Sequence, residues 1–292
     1  MDISLALGGG GSRGHAHLGV LRRLEQEGFR VRAVAGTSAG GIIAVMYAAG
    51  YTPDEMESRF AKLDQSKFFG RTSKDGPGLL GLSGAHKVLD ELLGERTFAD
   101  LQIPCAVAAV DIKSAHEVVL NKGRVVDAVL ATIAVPGIFP PKELDNHQLV
   151  DGGVLDPVPV SVARSLAPNL PVVAVVLTPL VEPTGRLAHL PLPVPVPGPI
   201  VERLTHTRIA QAFSIFLNAV DAGGRMITEL RLQVDDPEVV IRPDVDHIGL
   251  LDTVDVHAVV RAGEKAVDAV LPALKRAVSW PRRFRRKMFP RK

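Results

Sequence analysis

The feature that most constrains this chain is an apolar run that stops at a serine set among glycines, Val34-Ala35-Gly36-Thr37-Ser38-Ala39-Gly40-Gly41. Arg30 to Ala35 reads as a strand, and Ala39 to Gly50 reads as a helix that ends on glycine. Ser38 therefore falls at a strand-to-helix turn. A turn that presents a nucleophile is tight, and side chains two residues to either side obstruct it; Gly36 and Gly40 occupy both positions. The serine would also face free amides at the start of the helix, where the dipole favours negative charge. G-x-S-x-G also arises by chance in glycine-rich loops, so its meaning depends on the rest of the chain.

A second glycine run lies upstream. Ile3 to Leu7 is a short apolar strand, followed by Gly8-Gly9-Gly10-Gly11-Ser12-Arg13-Gly14 and a helix from about His15 to Glu27. Glycine loses more entropy on folding than other residues, and between a strand and a helix its usual justification is close backbone approach to an anion. Arg13 sits where the helix dipole disfavours a cation, which suggests a partner or simple solvation. Gly9-x-Gly11-x-x-Gly14 also fits a dinucleotide fingerprint. That alternative needs an acidic residue at the end of the second strand, and none is there. His17 falls on the buried stripe of the helix with Leu21 and Leu24, and reads as a core histidine.

Further along, helices are expected over Pro53 to Leu63, Gly84 to Leu93 and Val125 to Ala134, and strands over Ile103 to Ile112 and Glu117 to Leu120. Asp64 to Leu82 reads as a loop. Asp151-Gly152-Gly153 between apolar residues fits a hairpin turn on its own. Beyond it come a helix from Pro157 to Leu166, a strand from Val172 to Leu177, a strand over Val239 to Arg242 and a helix over Val254 to Val278. The proline run 190–199 reads as an extended surface segment, either a stiff connector or a flap beside an acyl site. The stripe Ile209, Ala212, Phe213, Phe216, Leu217 and Val220 is expected in the core. Alternating strands and helices imply an α/β fold, a three-layer α/β/α arrangement with a largely parallel sheet.

Charge divides the chain unevenly. The net charge is +2, yet nine bases and no acid follow Asp268, so the remainder is acidic overall. The tail from 279 to 292 mixes arginines with Trp280, Phe284 and Phe289, as a segment lying on anionic lipid would; a solubilising end and nucleic-acid contact are the alternatives. The single cysteine, Cys105, sits in an apolar run and excludes an intramolecular disulfide. No secretory leader or membrane-spanning run is apparent, so a cytoplasmic protein, peripheral at the membrane, is expected. No His/Cys/Asp/Glu grouping has metal-ligand spacing.

Taken together, Gly9-Gly10-Gly11-Ser12-Arg13-Gly14, Gly36-Thr37-Ser38-Ala39-Gly40 and Asp151-Gly152-Gly153 resemble, in order, the three motifs of patatin-like phospholipases. The resemblance implies one catalytic domain over 1–278. Within it Ser38 would be the nucleophile and Asp151 the base, with no catalytic histidine. Gly9, Gly10 and Gly11 near Arg13 would form an oxyanion hole, while Gly14, Gly36, Gly40, Gly152 and Gly153 support the turns. It further implies a lipid acyl ester as substrate, no metal and no cofactor. A nucleic-acid partner is not expected, and the oligomeric state stays open. Two alternatives remain from the residues themselves. One is a Ser-Asp-His triad using His189, His206, His247 or His257; the other is a nucleotide-binding or regulatory module built on the glycine loop.

Overall fold

A computed structural model describes residues 1–63, 76, 78–179 and 208–279, the side chains of 208–214 excepted. The proline run 190–199, most of the 64–82 loop and the tail from Trp280 onward lie outside the described residues.

The strands are β1 (Asp2–Leu7), β2 (Arg30–Thr37), β3 (Cys105–Asp111), β4 (His116–Leu120), β5 (Lys142–Leu144), β6 (His147–Asp151), β7 (Val172–Val175) and β8 (Val239–Ile241). They form one eight-stranded sheet. The helices are α1 (Ala16–Gln26), α2 (Ala39–Ala48), α3 (Pro53–Lys62), α4 (Ser83–Leu93), α5 (Val125–Thr132), α6 (Val160–Leu166), α7 (Arg208–Asp235) and α8 (Val256–Ala277).

The middle of the sheet is parallel: β1 pairs with β2 and β7, β2 with β3, and β7 with β8. β4, β5 and β6 are antiparallel additions at the β3 end. Their connections explain the change, because the few residues between β3 and β4 can close a hairpin but cannot make a crossover. The reversal between β5 and β6 occurs at Asp145-Asn146, both at positive φ (48° and 66°). Asp151-Gly152 is thus not a hairpin turn; Asp151 ends β6 and Gly152 begins a single 3-10 turn.

Side chains alternate between two faces of unequal bulk. Ile3, Leu5, Leu7, Val34, Val107 and Val173 join the larger core with residues of α1, α2 and α8, whereas Ala6, Ala35, Ala106 and Ala174 face α6 in a thinner one. Small residues on that face let α6 come close, and Ser4 Oγ donates to the Ala163 carbonyl at 2.7 Å. α1 and α8 also pack backbone to backbone, since a side chain at Gly19 or Gly263 would collide with the facing carbonyl of Val260 or Ala16. Cys105 packs in the larger core as a buried hydrophobe. α7 meets expectation only in part: of the expected stripe Leu217 is buried and Val220 half-buried, Phe216 is 46% exposed, and the side chains of Ile209, Ala212 and Phe213 lie outside the described residues.

Candidate active site

Three strands create the site. Val107 and Ala108 of β3 pair with β2 and with β4, while Ala109 to Asp111 pair with β4 and with β6. β4 occupies one edge of β3, so β2 and β6 lie end to end along the other. They run in opposite directions, and their C-terminal ends meet. Thr37 pairs with Ala108 and Asp151 with Ala109, which brings Ser38 and Asp151 together from distant parts of the sequence.

Ser38 has φ 54° and ψ −124°, a strained backbone for a residue with a side chain. The turn closes because Gly36 and Gly40 are in contact, and a Cβ on Gly36 would strike the Gly40 carbonyl. Ser38 stands at the N-cap of α2, yet its side chain makes no cap hydrogen bond. Its hydroxyl faces the Asp151 carboxylate, whose charged form it favours. The Ser38 N–H donates to Thr132 Oγ1 at 2.9 Å.

Asp151 is 5% exposed. Loss of solvent raises its pKa to about 6, against the Ser38 hydroxyl and the hydrogen bond from the Gly153 N–H (2.7 Å), which favour the charged form. Its own N–H donates to the Ala134 carbonyl at 2.9 Å. Gly152 must be small because a Cβ there would meet the Ala108 carbonyl, and a Cβ on Gly153 would come within 3.0 Å of Asp151 Oδ1.

The glycine loop divides into occupied and open amides. The Gly8 and Gly9 N–H groups donate to Val175 and Pro157 carbonyls, both at 2.9 Å. Among the described residues the Gly10 and Gly11 N–H groups have no protein acceptor. Gly9 lies against Ser38, where a Cβ would be 3.3 Å from the serine Cβ, and Gly14 makes room for Ala39. Arg13 is buried and its Nε donates to the Ile248 carbonyl at 2.6 Å, while the Ser12 N–H takes the Leu250 carbonyl at 2.9 Å. Burial lowers the Arg13 pKa against the attraction of Asp221. Arg13 thus fastens the 248–250 segment to the loop. His17 donates from Nε2 to the Gly8 carbonyl (2.8 Å) and is fully buried. It braces the loop from below.

Beside Ser38 opens an apolar cavity of about 140 Å³ lined by Gly11, His15, Ile42, Phe60, Ile133, Val135, Phe139, Leu250 and Leu251, among others. His15 lies against Phe60 (ring centroids 5.3 Å apart), and burial lowers its pKa to about 4, so the ring is neutral at ordinary pH. His15 was not singled out by its sequence pattern. His257 is paired with Glu57, while His189 and His206 lie outside the described residues. No group of three or more His, Cys, Asp or Glu side chains among the described residues could hold a metal ion. No helix among them is long and apolar enough to cross a membrane.

Residues 5–164 match the family described as patatin-like phospholipase. An uncharacterized NTE family protein of Mycobacterium bovis is 35% identical over 162 residues, covering 54% of this chain and 44% of that protein. A second from the same organism is 27% identical over 280 residues, 93% of this chain and 47% of its own length. Patatin-like phospholipase domain-containing protein 6 of Mus musculus is 31% identical over 171 residues, 56% of this chain and 13% of that one. The chain thus spans less than half the length of each of these relatives. Among solved structures, VipD from Legionella pneumophila superposes with a TM-score of 0.59 at 14% identity, over 94% of this chain and 67% of the other, a likeness of fold.

Proposed function

The chain belongs to the patatin-like phospholipase family, and from that premise we propose that it hydrolyses carboxylic ester bonds of lipids, phospholipids or lysophospholipids, through Ser38 and Asp151. The observation that carries this reading is the placement of Ser38 beside the buried Asp151 carboxylate by adjacent pairs on β3, next to an apolar cavity and to two amides without an acceptor among the described residues. An acyl chain enters the cavity, which sets its carbonyl carbon over Ser38 Oγ. Asp151 takes the hydroxyl proton as Oγ attacks. The Gly10 and Gly11 amides then hold the developing oxyanion, typically the largest single contribution in such sites. The alcohol leaves with the proton, and Asp151 next activates water to release the fatty acid. Gly9 acts as a spacer in this scheme, since its amide is already engaged by Pro157. Arg13 anchors the loop. A nucleotide-binding loop has less support, because the adjacent cavity is apolar.

The test is hydrolysis of a series of lysophospholipids and p-nitrophenyl esters by the wild type and by Ser38→Ala. Fatty-acid release by the wild type alone supports the reading; equal release by both contradicts it. We assign the basic tail a separate role in holding the protein to anionic membrane. Binding to phosphatidylglycerol vesicles should weaken with salt and fall in a chain ending at Val278, whereas equal binding by the shortened chain would refute the tail's part.

A further inference from the structure

The turn that ends α5 holds the backbone of both proposed catalytic residues. Ser38 N–H cannot bond within the sheet, because β2 has ended, or within α2, where the first amides lack partners. It donates to Thr132 Oγ1 at 2.9 Å. A hydroxyl has one proton, and that of Thr132 is committed to the Ala108 carbonyl at 2.5 Å, which turns the oxygen lone pairs toward Ser38. Two residues further on, the Ala134 carbonyl receives the Asp151 N–H at 2.9 Å. Thr132 is 0% exposed, in a helix otherwise built from Val, Ala, Leu and one Asp. Its methyl group faces α2 so closely that a Cβ on Gly41 would lie 2.7 Å from Thr132 Cγ2.

Building on the hydrolase reading above, we propose that Thr132 is a positioning residue: the segment 132–134 fixes the separation of Ser38 and Asp151 by gripping the amide of each. Ala134 serves through its main chain, so Thr132 is the only side chain in that grip. The serine torsion is strained, and an amide held by an oriented hydroxyl keeps it from relaxing. Release of that amide would move Ser38 Oγ relative to Asp151 while leaving the acyl cavity largely in place. The loss should therefore fall on kcat, with KM little changed.

Thr132→Val keeps the shape and removes both hydrogen bonds, and Thr132→Ser keeps the hydroxyl without the methyl. The expected results are a loss of roughly 10²-fold in kcat for Thr132→Val at nearly constant KM, and activity within about threefold of wild type for Thr132→Ser. Gly41→Ala should displace Thr132 and cost roughly tenfold, and the pair Gly41→Ala with Thr132→Ser should recover most of it, because the clashing methyl is gone. The remaining 3.3 Å approach to Val107 Cγ1 needs only a small shift. If Thr132→Val fails to fold, the Gly41→Ala pair decides. Rates are normalised to folded protein by unfolding measurements and to Ser38 labelled by a fluorophosphonate. An active wild type with Thr132→Val at wild-type kcat, or a Gly41→Ala loss that Thr132→Ser does not relieve, overturns this inference alone. A wild type that neither cleaves esters nor takes label at Ser38 overturns the hydrolase reading and this inference with it.

Discussion

Asp151 and Asp156 are separated by one 3-10 turn, both are buried, and both have pKa values raised first of all by desolvation. Their surroundings differ in kind. Asp156 meets Arg231 of α7 at 2.9 Å, and Arg231 also reaches Glu117 of β4 at 3.2 Å. Glu117 pushes the Asp156 pKa further up and Arg231 pulls it down. Asp151 has no cation partner among the described residues; a hydroxyl and one amide are what it meets. A cation beside Asp151 would hold the carboxylate low and make it a poor base. Under the proposed mechanism, Asp151 is the carboxylate that exchanges a proton and Asp156 the one that ties α7 and β4 to the sheet. Asp156 also fixes the elbow through its main chain, since its carbonyl accepts the Thr37 hydroxyl at 2.8 Å.

The largest expected effect comes from neutralising each acid in turn. Asp151→Asn should lower kcat by roughly 10²- to 10⁴-fold in a lysophospholipid assay, whereas Asp156→Asn should stay within about threefold, because the Thr37 contact uses backbone. Equal losses would erase the distinction between the two acids. Stability should show a smaller effect of opposite sign at the two places. The raised pKa of Asp151 means its carboxyl costs the fold nothing below pH about 4, and the cost grows until pH passes about 6. Asp151→Asn should thus gain up to about 3 kcal/mol at pH 8 and almost nothing at pH 4. Arg231→Gln leaves Asp156 and Glu117 facing each other and should lose about 2 kcal/mol at pH 8, less at pH 5 where Asp156 takes up a proton. Urea unfolding at the two pH values reads both; a gain in Arg231→Gln or a loss in Asp151→Asn at pH 8 would reverse the account.

How much of this was legible in the sequence follows from the range of each interaction. Ser38 and its flanking glycines could be read directly, because a tight turn with touching backbones restricts residue type locally. Asp151 could be identified only through resemblance, since Asp-Gly by itself signals a hairpin, and the hairpin was two residues of another kind, Asp145-Asn146. Thr132 was not legible: its contact with Ser38 crosses 94 positions. The one available signal was a threonine in an apolar helix before a proline turn, a buried polar group that needs a partner. The α7 stripe showed the opposite weakness. Periodicity marks an apolar face without saying what covers it, and Phe216 of that stripe is exposed. β5 was too short and polar to announce a strand.

The most direct test of the central claim, that Asp151 alone activates Ser38, is the rate of Ser38 modification by a fluorophosphonate as a function of pH, in the wild type and in Asp151→Asn. The account predicts a wild-type rate that rises through about pH 6 to a plateau, as the Asp151 carboxyl loses its proton, and a low rate without that inflection in the variant. Replacement of His15 or His247 by glutamine should leave the curve in place. An unchanged curve in Asp151→Asn, or an inflection near pH 7 that disappears with one of the histidines, would contradict it.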